Sequence, residues 1–208
     1  FSFASYYDPR HMGVSSLRVI NDDRVAPNAG FETHGHKDME IISYVISGTI
    51  AHKDSFGNIK TLPAGEFQLM SAGKGIYHSE FNASNTEPLH FLQIWIQPDT
   101  LGIDAGYQQK AFEQTSALTA VVTPTGENGT LKVQQDATLY RLMLAPQEQV
   151  HMPQLKPQRQ LYVQLVEGTL KVNDQVLTPG DGAHITAEEV VRFSATDSPV
   201  TALVFDLA

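Results

Sequence analysis

Short apolar alternations, each broken by turn residues, run the length of the chain. Ile41, Ser43 and Val45 alternate with Ile42, Tyr44 and Ile46; Gly48 follows, and then Thr49-Ile50-Ala51-His52. Asp54-Ser55-Phe56-Gly57-Asn58 reads as a hairpin loop. Residues 89–96 (LHFLQIWI) form a nearly continuous apolar run, as expected of a strand buried on both faces. Later strands are predicted at 131–135, 137–144, 161–166, 169–173, 190–194 and 200–206. Strands at this spacing, with Gly, Pro and Asn between them, predict an all-β sandwich or barrel. Residues 98–120 fit least well. Pro98, Gly102 and Gly106 precede Tyr107-Gln108-Gln109-Lys110-Ala111-Phe112, which reads as a connector with one helical turn.

The pattern repeats. Val45-Ile46-Ser47-Gly48-Thr49-Ile50, with Asp54 beyond it, returns 120 residues later as Leu165-Val166-Glu167-Gly168-Thr169-Leu170, with Asp174 beyond it. Leu62-Pro63-Ala64-Gly65-Glu66 returns 115 residues later as Leu177-Thr178-Pro179-Gly180-Asp181. A shorter second hairpin absorbs the difference, since loops tolerate deletions. Two tandem β-barrels are therefore expected, over residues 1–117 and 118–208.

Composition narrows the chemistry. The 208 residues carry no Cys, which removes disulfides, thiolate nucleophiles and thiolate metal sites, so any metal must be held by His and carboxylate. A net charge of −9 argues against direct nucleic-acid binding and against an anionic membrane surface. No apolar run approaches the roughly 20 residues of a membrane span, and a cytoplasmic location is expected. The chain opens at Phe1 and not at Met, so an amino-terminal piece ahead of it is expected.

Within the first copy, His34-Gly35-His36 and His78-Ser79-Glu80 are two i, i+2 pairs, and such pairs point to one face of a strand. On facing strands they would supply three imidazoles and one carboxylate to a single divalent transition metal, with positions left for water or substrate. By the repeat offsets His34 and His36 fall on Gln154 and Lys156, and His78 and Glu80 on Phe193 and Ala195, so the second copy has the scaffold without the ligands. The plain alternative is a hydrogen-bonded polar cluster. His90, inside an apolar strand, reads as a satisfied core or interface residue, and His11, His151 and His184 as structural or exposed. His52, with Asp54, reads as a group behind the ligands or a pocket wall. Met70 and Trp95 read as core, Trp95 also suiting a flat aromatic ligand.

Residues 30–40 (GFETHGHKDME) through Gly48, then His52-Lys53-Asp54-Ser55, Pro63-Ala64-Gly65 and residues 70–80 (MSAGKGIYHSE), together resemble the pirin family of the cupin superfamily. Residues 1–9 (FSFASYYDP) are similar to the family's amino-terminal segment. The likeness is close across residues 1–112 and looser beyond. It implies a bicupin of two jelly-roll barrels, the second free of metal, and it implies Glu80 as fourth ligand, with the general cupin glutamate Glu40 as the runner-up should the chain turn back at residues 35–39. Gly35, where relatives often have Pro, is a mild departure. The Lys37-Asp38-Met39 variant resembles the bacterial branch associated with quercetin 2,3-dioxygenase activity. That branch implies a metal-dependent dioxygenase that cleaves a flavonol with O2, releasing carbon monoxide and a depside, with Glu80 as the catalytic proton acceptor. One metal per chain is implied, iron first, while the same donors accept Mn, Co, Ni, Cu or Zn. The alternative implied by the family is a metal-dependent or redox-sensing regulator that binds a protein partner.

Overall fold

The alternation at 41–46 does become a strand, and its neighbours cover both faces, for Ile41 and Ile42 point to opposite sides and both are fully buried. The computed structural model describes residues 1–152, 158–186 and 190–208. The chain divides into two units, Phe1–Phe112 with Val133–Gln135, and Glu113–Lys132 with Asp136–Ala208. Among the described residues the regular structure is strand, apart from one short 3-10 turn at Glu127–Gly129. None of the described helices is long and apolar enough to cross a membrane.

The first unit holds β1 (Leu17–Val25), β2 (Gly30–His36), β3 (Glu40–Ser47), β4 (Thr49–Asp54), β5 (Ile59–Pro63), β6 (Glu66–Ser71), β7 (Ile76–Asn82), β8 (Leu89–Ile96) and β9 (Gly106–Ala111). They form two antiparallel sheets, ordered β1-β8-β3-β6-β9 and β2-β7-β4-β5. The second unit holds β10 (Leu118–Thr123), β11 (Leu131–Lys132), β12 (Ala137–Leu144), β13 (Gln149–His151), β14 (Gln160–Glu167), β15 (Leu170–Val172), β16 (Gln175–Leu177), β17 (Gly182–Ile185), β18 (Arg192–Ala195) and β19 (Val200–Leu207). Its sheets are ordered β11-β10-β12-β19-β14-β17 and β13-β18-β15-β16. From β12 onward this is the order of the first unit again, with β12, β19, β14 and β17 in the places of β1, β8, β3 and β6.

Two expectations are corrected. The helical turn at 107–112 is absent: Gly106–Ala111 is a strand paired along β6, with Gln108 opposite Leu69 and Gln109 opposite Gln68. A polar segment with weak local preference is taken up by a free sheet edge, and pairing overrides propensity. The run at 131–135 is a strand only over Leu131–Lys132. Beyond it Gln134 is drawn to the first unit, where its N–H donates to the Glu40 carboxylate at 3.2 Å and its carbonyl accepts from Asp99 at 2.8 Å.

The repeat is visible atom for atom. Gly48 and Gly168 turn the chain with φ of 83° and 87°. The Gly65 N–H bonds the Val45 carbonyl at 2.8 Å, as the Gly180 N–H bonds that of Leu165 at 3.0 Å. The structure also moves one alignment by two residues. Ile50 pairs with Asn82 and His52 with Glu80, while Leu170 pairs with Ala195 and Val172 with Phe193. The counterparts of His78 and Glu80 are therefore Val191 and Phe193, not Phe193 and Ala195; the intervening loop is shorter than the offset assumed. Gln154 and Lys156 lie outside the described residues.

A left-handed φ suits glycine, because a Cβ there costs about 1–2 kcal/mol. Space separates the turn glycines further: a Cβ on Gly180 would meet nothing within 4 Å, but one on Gly168 would lie 2.1 Å from the Pro199 carbonyl oxygen. Gly180→Ala should cost about 1 kcal/mol in denaturant unfolding, and Gly168→Ala about 3 kcal/mol or more, since backbone must also shift. Equal losses would show that the close approach at Gly168 carries no weight.

Candidate metal centre

Strand β7 lies between β2 and β4, and alternate residues along it, Ile76, His78, Glu80 and Asn82, are the buried ones. On the β2 side His34 lies opposite His78, after an irregularity between Phe31 and His34. On the β4 side Glu80 lies opposite His52, and His78 opposite Asp54. The i, i+2 spacing thus delivers His34, His36 and His78 to one point. Nε2 of His36 is 3.0 Å from Nε2 of His78, and Nε2 of His34 is 3.1 Å from it.

Nδ1 of His34 is 2.7 Å from the Glu32 carbonyl oxygen, which can only accept, so Nδ1 carries the proton and Nε2 presents its lone pair to the cluster. With their protons on Nδ1, three rings aiming Nε2 at one point cannot satisfy one another with hydrogen bonds. They can satisfy a cation. Two nitrogens each about 2.1 Å from one ion lie about 3.0 Å apart when they subtend a right angle, and about 3.4 Å apart in a tetrahedron. The two separations from His78 Nε2 match the right angle.

Burial pushes the metal-free His36 down to about 4 and His78 to about 3, with the neighbouring imidazoles adding to the effect. Both rings stay neutral, as ligation requires. Glu80, fully enclosed, is pushed up to about 7 by loss of solvent. Its carboxylate accepts from Gln93 Nε2 at 2.7 Å and from Ser43 Oγ at 3.3 Å, which ties β7 to the opposite sheet. Glu80 falls in a second group of close donor atoms, with His52 and His78, and not in the group of His34, His36 and His78. Glu40 belongs to neither: it is buried on β3, where burial raises its pKa and its carboxylate is taken by Ser71 Oγ at 2.9 Å and the Gln134 N–H.

His90 and His184 are engaged elsewhere. His90 meets Asp22 at 2.7 Å, and His184 meets Gln160 at 2.6 Å. Gln93 and Trp95 are the residues least legible beforehand. Trp95 Nε1 donates to Gln93 Oε1 at 3.0 Å, and the Trp95 ring stands edge-on to His36 (5.0 Å between centroids) and to Phe3 (5.1 Å). The signal for Gln93 was a single amide within the apolar run 89–96. A surface groove of about 720 Å³ beside Lys60, Glu66 and Gln109 contains none of these ligands.

The second unit is an internal control. The register puts Val163 where Ser43 stands and Val204 where Gln93 stands. Val172, Val191 and Phe193 replace His52, His78 and Glu80, and all five belong to one apolar cluster. In the first unit Ile41 and Val45, flanking Ser43, belong to separate apolar clusters. A polar belt divides the core there.

Comparison with known proteins agrees with this architecture. The Pirin family profile matches residues 1–96, and that of the quercetinase C-terminal cupin domain matches residues 120–207. A quercetin 2,3-dioxygenase from Escherichia coli (strain K12) is 49% identical over 208 residues, covering 100% of this chain and 89% of that protein. The chain belongs to the pirin family. A pirin-like protein from Caulobacter vibrioides is 38% identical over 208 residues, covering 98% of this chain and 89% of the relative. Among solved structures, the bacterial pirin YhhW from Escherichia coli in complex with nickel(II) superposes with a TM-score of 0.95 at 48% identity, covering 100% of this chain and 89% of that one.

For this pirin without metal, the signs of the pH dependence follow from the shifts. Glu80, raised from 4.5, gives stability that is present below about 4.5 and lost as pH rises through about 7. His36 and His78, lowered from 6.5, give stability that is present above about 6.5 and lost as pH falls through about 4 and about 3. Glu80→Gln should therefore stabilise metal-stripped protein at about pH 8, by about 1–3 kcal/mol in urea unfolding, and change little at about pH 4. A loss of stability at about pH 8 would contradict the enclosed carboxylate.

Proposed function

We propose that the chain is a metal-dependent dioxygenase that cleaves a flavonol with O2 at a centre built from His34, His36, His78 and Glu80. The observation that carries this reading is the convergence of three imidazoles, with Nε2 of His34 and of His36 each about 3 Å from Nε2 of His78, beside a buried carboxylate on the same strand as His78. The names of the relatives support it, and so does the nickel(II) bound by a structural neighbour. The ion is a divalent transition metal, one per chain. When bound, it supplies a Lewis acid for the enolic 3-hydroxyl and for dioxygen.

The chain's own residues do the rest. The three imidazoles hold the ion, and Glu80 completes its donor set and accepts the 3-hydroxyl proton. An anionic carboxylate beside the ion suits that task. Gln93 and Ser43 hold Glu80 in place between proton transfers. Trp95, edge-on to His36, gives a flat wall for an aromatic substrate, and the apolar side chains on either side of the belt keep water from it. On this reading residues 1–117 form the metal-binding jelly-roll barrel, and residues 118–208 a second barrel without ligands.

Anaerobic loading of metal-stripped protein, followed by a flavonol and oxygen consumption assay, tests the reading. Elemental analysis should give one ion per chain, and His78→Ala should lose most of it without unfolding, since the apolar clusters remain. Glu80→Gln should abolish turnover while some metal is kept, because an amide cannot accept the proton. Glu40→Gln, remote from the histidines, should retain measurable turnover. If wild type loaded with iron, manganese, nickel or copper leaves flavonol untouched, the dioxygenase reading fails and a partner-binding regulator takes its place.

Metal retention should also follow the low proton affinity of the site. With His36 and His78 at about 4 and about 3 before any metal binds, occupancy should hold from neutrality to about pH 5 and fall below about pH 4. Elemental analysis after buffer exchange at each pH would read it, and loss already at about pH 6 would contradict enclosed imidazoles.

A further inference from the structure

Two ring nitrogens at the centre have no part in the reading so far. Nδ1 of His78 and Nδ1 of His52 are both buried, and neither meets a hydrogen-bond partner among the protein's atoms. Buried polar atoms are rarely left so. Their proton states are complementary. His78 turns Nε2 to the cluster as a lone pair, which leaves its proton on Nδ1. His52 is oriented the other way by Asp54: its Nε2 is 3.1 Å from Asp54 Oδ2, with both side chains wholly enclosed. Asp54 also accepts from the backbone N–H groups of Phe56 and Asn58 and from Asn58 Nδ2, so it is held as an acceptor. Nε2 of His52 then carries the proton, and Nδ1 presents a lone pair.

The ring that carries the unmet donor and the ring that carries the unmet acceptor are neighbours, with centroids 5.5 Å apart. Glu80 lies close to both: a ring nitrogen of each histidine and a Glu80 oxygen lie within 4.8 Å of one another. That separation suits one water, which accepts one hydrogen bond and donates two. The second unit keeps an acidic residue in the equivalent hairpin, Asp174, but has Val172 in place of His52. The acidic residue recurs in both hairpins, while His52 is found only beside the metal ligands.

We propose that Asp54 and His52 are positioning residues for the metal centre: Asp54 fixes the tautomer of His52, and His52, with Glu80, takes the His78 Nδ1–H through one buried water, so that His78 Nε2 stays aimed at the ion. The proposal rests on the metal-centre reading above. A carboxylate or carbonyl behind a ligating imidazole is worth about 10–100-fold in metal affinity; here the carboxylate acts through a second imidazole.

Nickel(II) affinity by chelator competition, the visible spectrum of the cobalt(II) form, nickel per chain by elemental analysis and thermal unfolding of metal-free protein test it together. His52→Phe fills the volume without an acceptor and should lose about 10–100-fold in nickel affinity, with a changed cobalt spectrum. His52→Asn puts an amide oxygen near the place of Nδ1 and should recover most of the loss. Asp54→Asn offers an N–H to His52 Nε2, turns the His52 proton toward His78, and should weaken binding as His52→Phe does. Should Asp54→Asn fail to fold for want of its hairpin cap, the two His52 variants decide alone. Nickel affinity of His52→Phe within about threefold of wild type, against the range expected of such a group, would overturn the proposal. So would His52→Asn as weak as His52→Phe, which would mean packing only. Two nickel ions per chain would assign His52, His78 and Glu80 to a second ion instead. Wild type that binds neither nickel nor cobalt would remove the metal-centre reading itself.

Discussion

Enclosing five polar side chains between two sheets is the constraint on which the first unit depends. Ser43, His52, His78, Glu80 and Gln93 occupy positions that the sibling unit fills with four valines and a phenylalanine. A polar group taken from water without a partner costs about 1–3 kcal/mol, so each member of the belt must be met from within. Gln93 and Ser43 meet Glu80, Asp54 meets His52, and Trp95 meets Gln93. The structure spends stability in this belt, and the unbroken apolar cluster of the second unit shows how the same frame packs without it.

The electrostatic result is a centre that is close to uncharged before any ion arrives. Enclosure disfavours every charged form, lowering the proton affinity of His36 and His78 and raising that of Glu80. A cation reverses the terms for Glu80, since a nearby positive charge favours the carboxylate. On the proposed reading, metal binding is coupled to proton release from Glu80.

Much of this was legible in the residues, and for a physical reason. Period-two alternation and the Gly48 and Gly168 turns are local, so the tandem β design and the inward face of His78 and Glu80 follow from spacing alone. Long-range pairing is not local. The edge strand at Gly106–Ala111 exists because β6 offers it partners, and nothing within those six residues specifies it. The same holds for Gln134, whose backbone seeks the buried Glu40 carboxylate, and for the two-residue error in aligning the second copy. His52 and Asp54 carried the same i, i+2 signature as the ligand pairs, but only the register of β4 against β7 sets them behind His78.

The chain contains a single tryptophan, and it stands edge-on to a candidate ligand ring while its indole N–H is tied to the amide that holds Glu80. Indole emission depends on the dipoles and quenchers within a few ångströms of the ring. Every photon the protein emits through Trp95 therefore originates beside the centre, with no contribution from the second unit to dilute it. Open-shell ions quench such emission and closed-shell ions do not, so the fold carries an intrinsic optical gauge of which ion, if any, the three imidazoles hold.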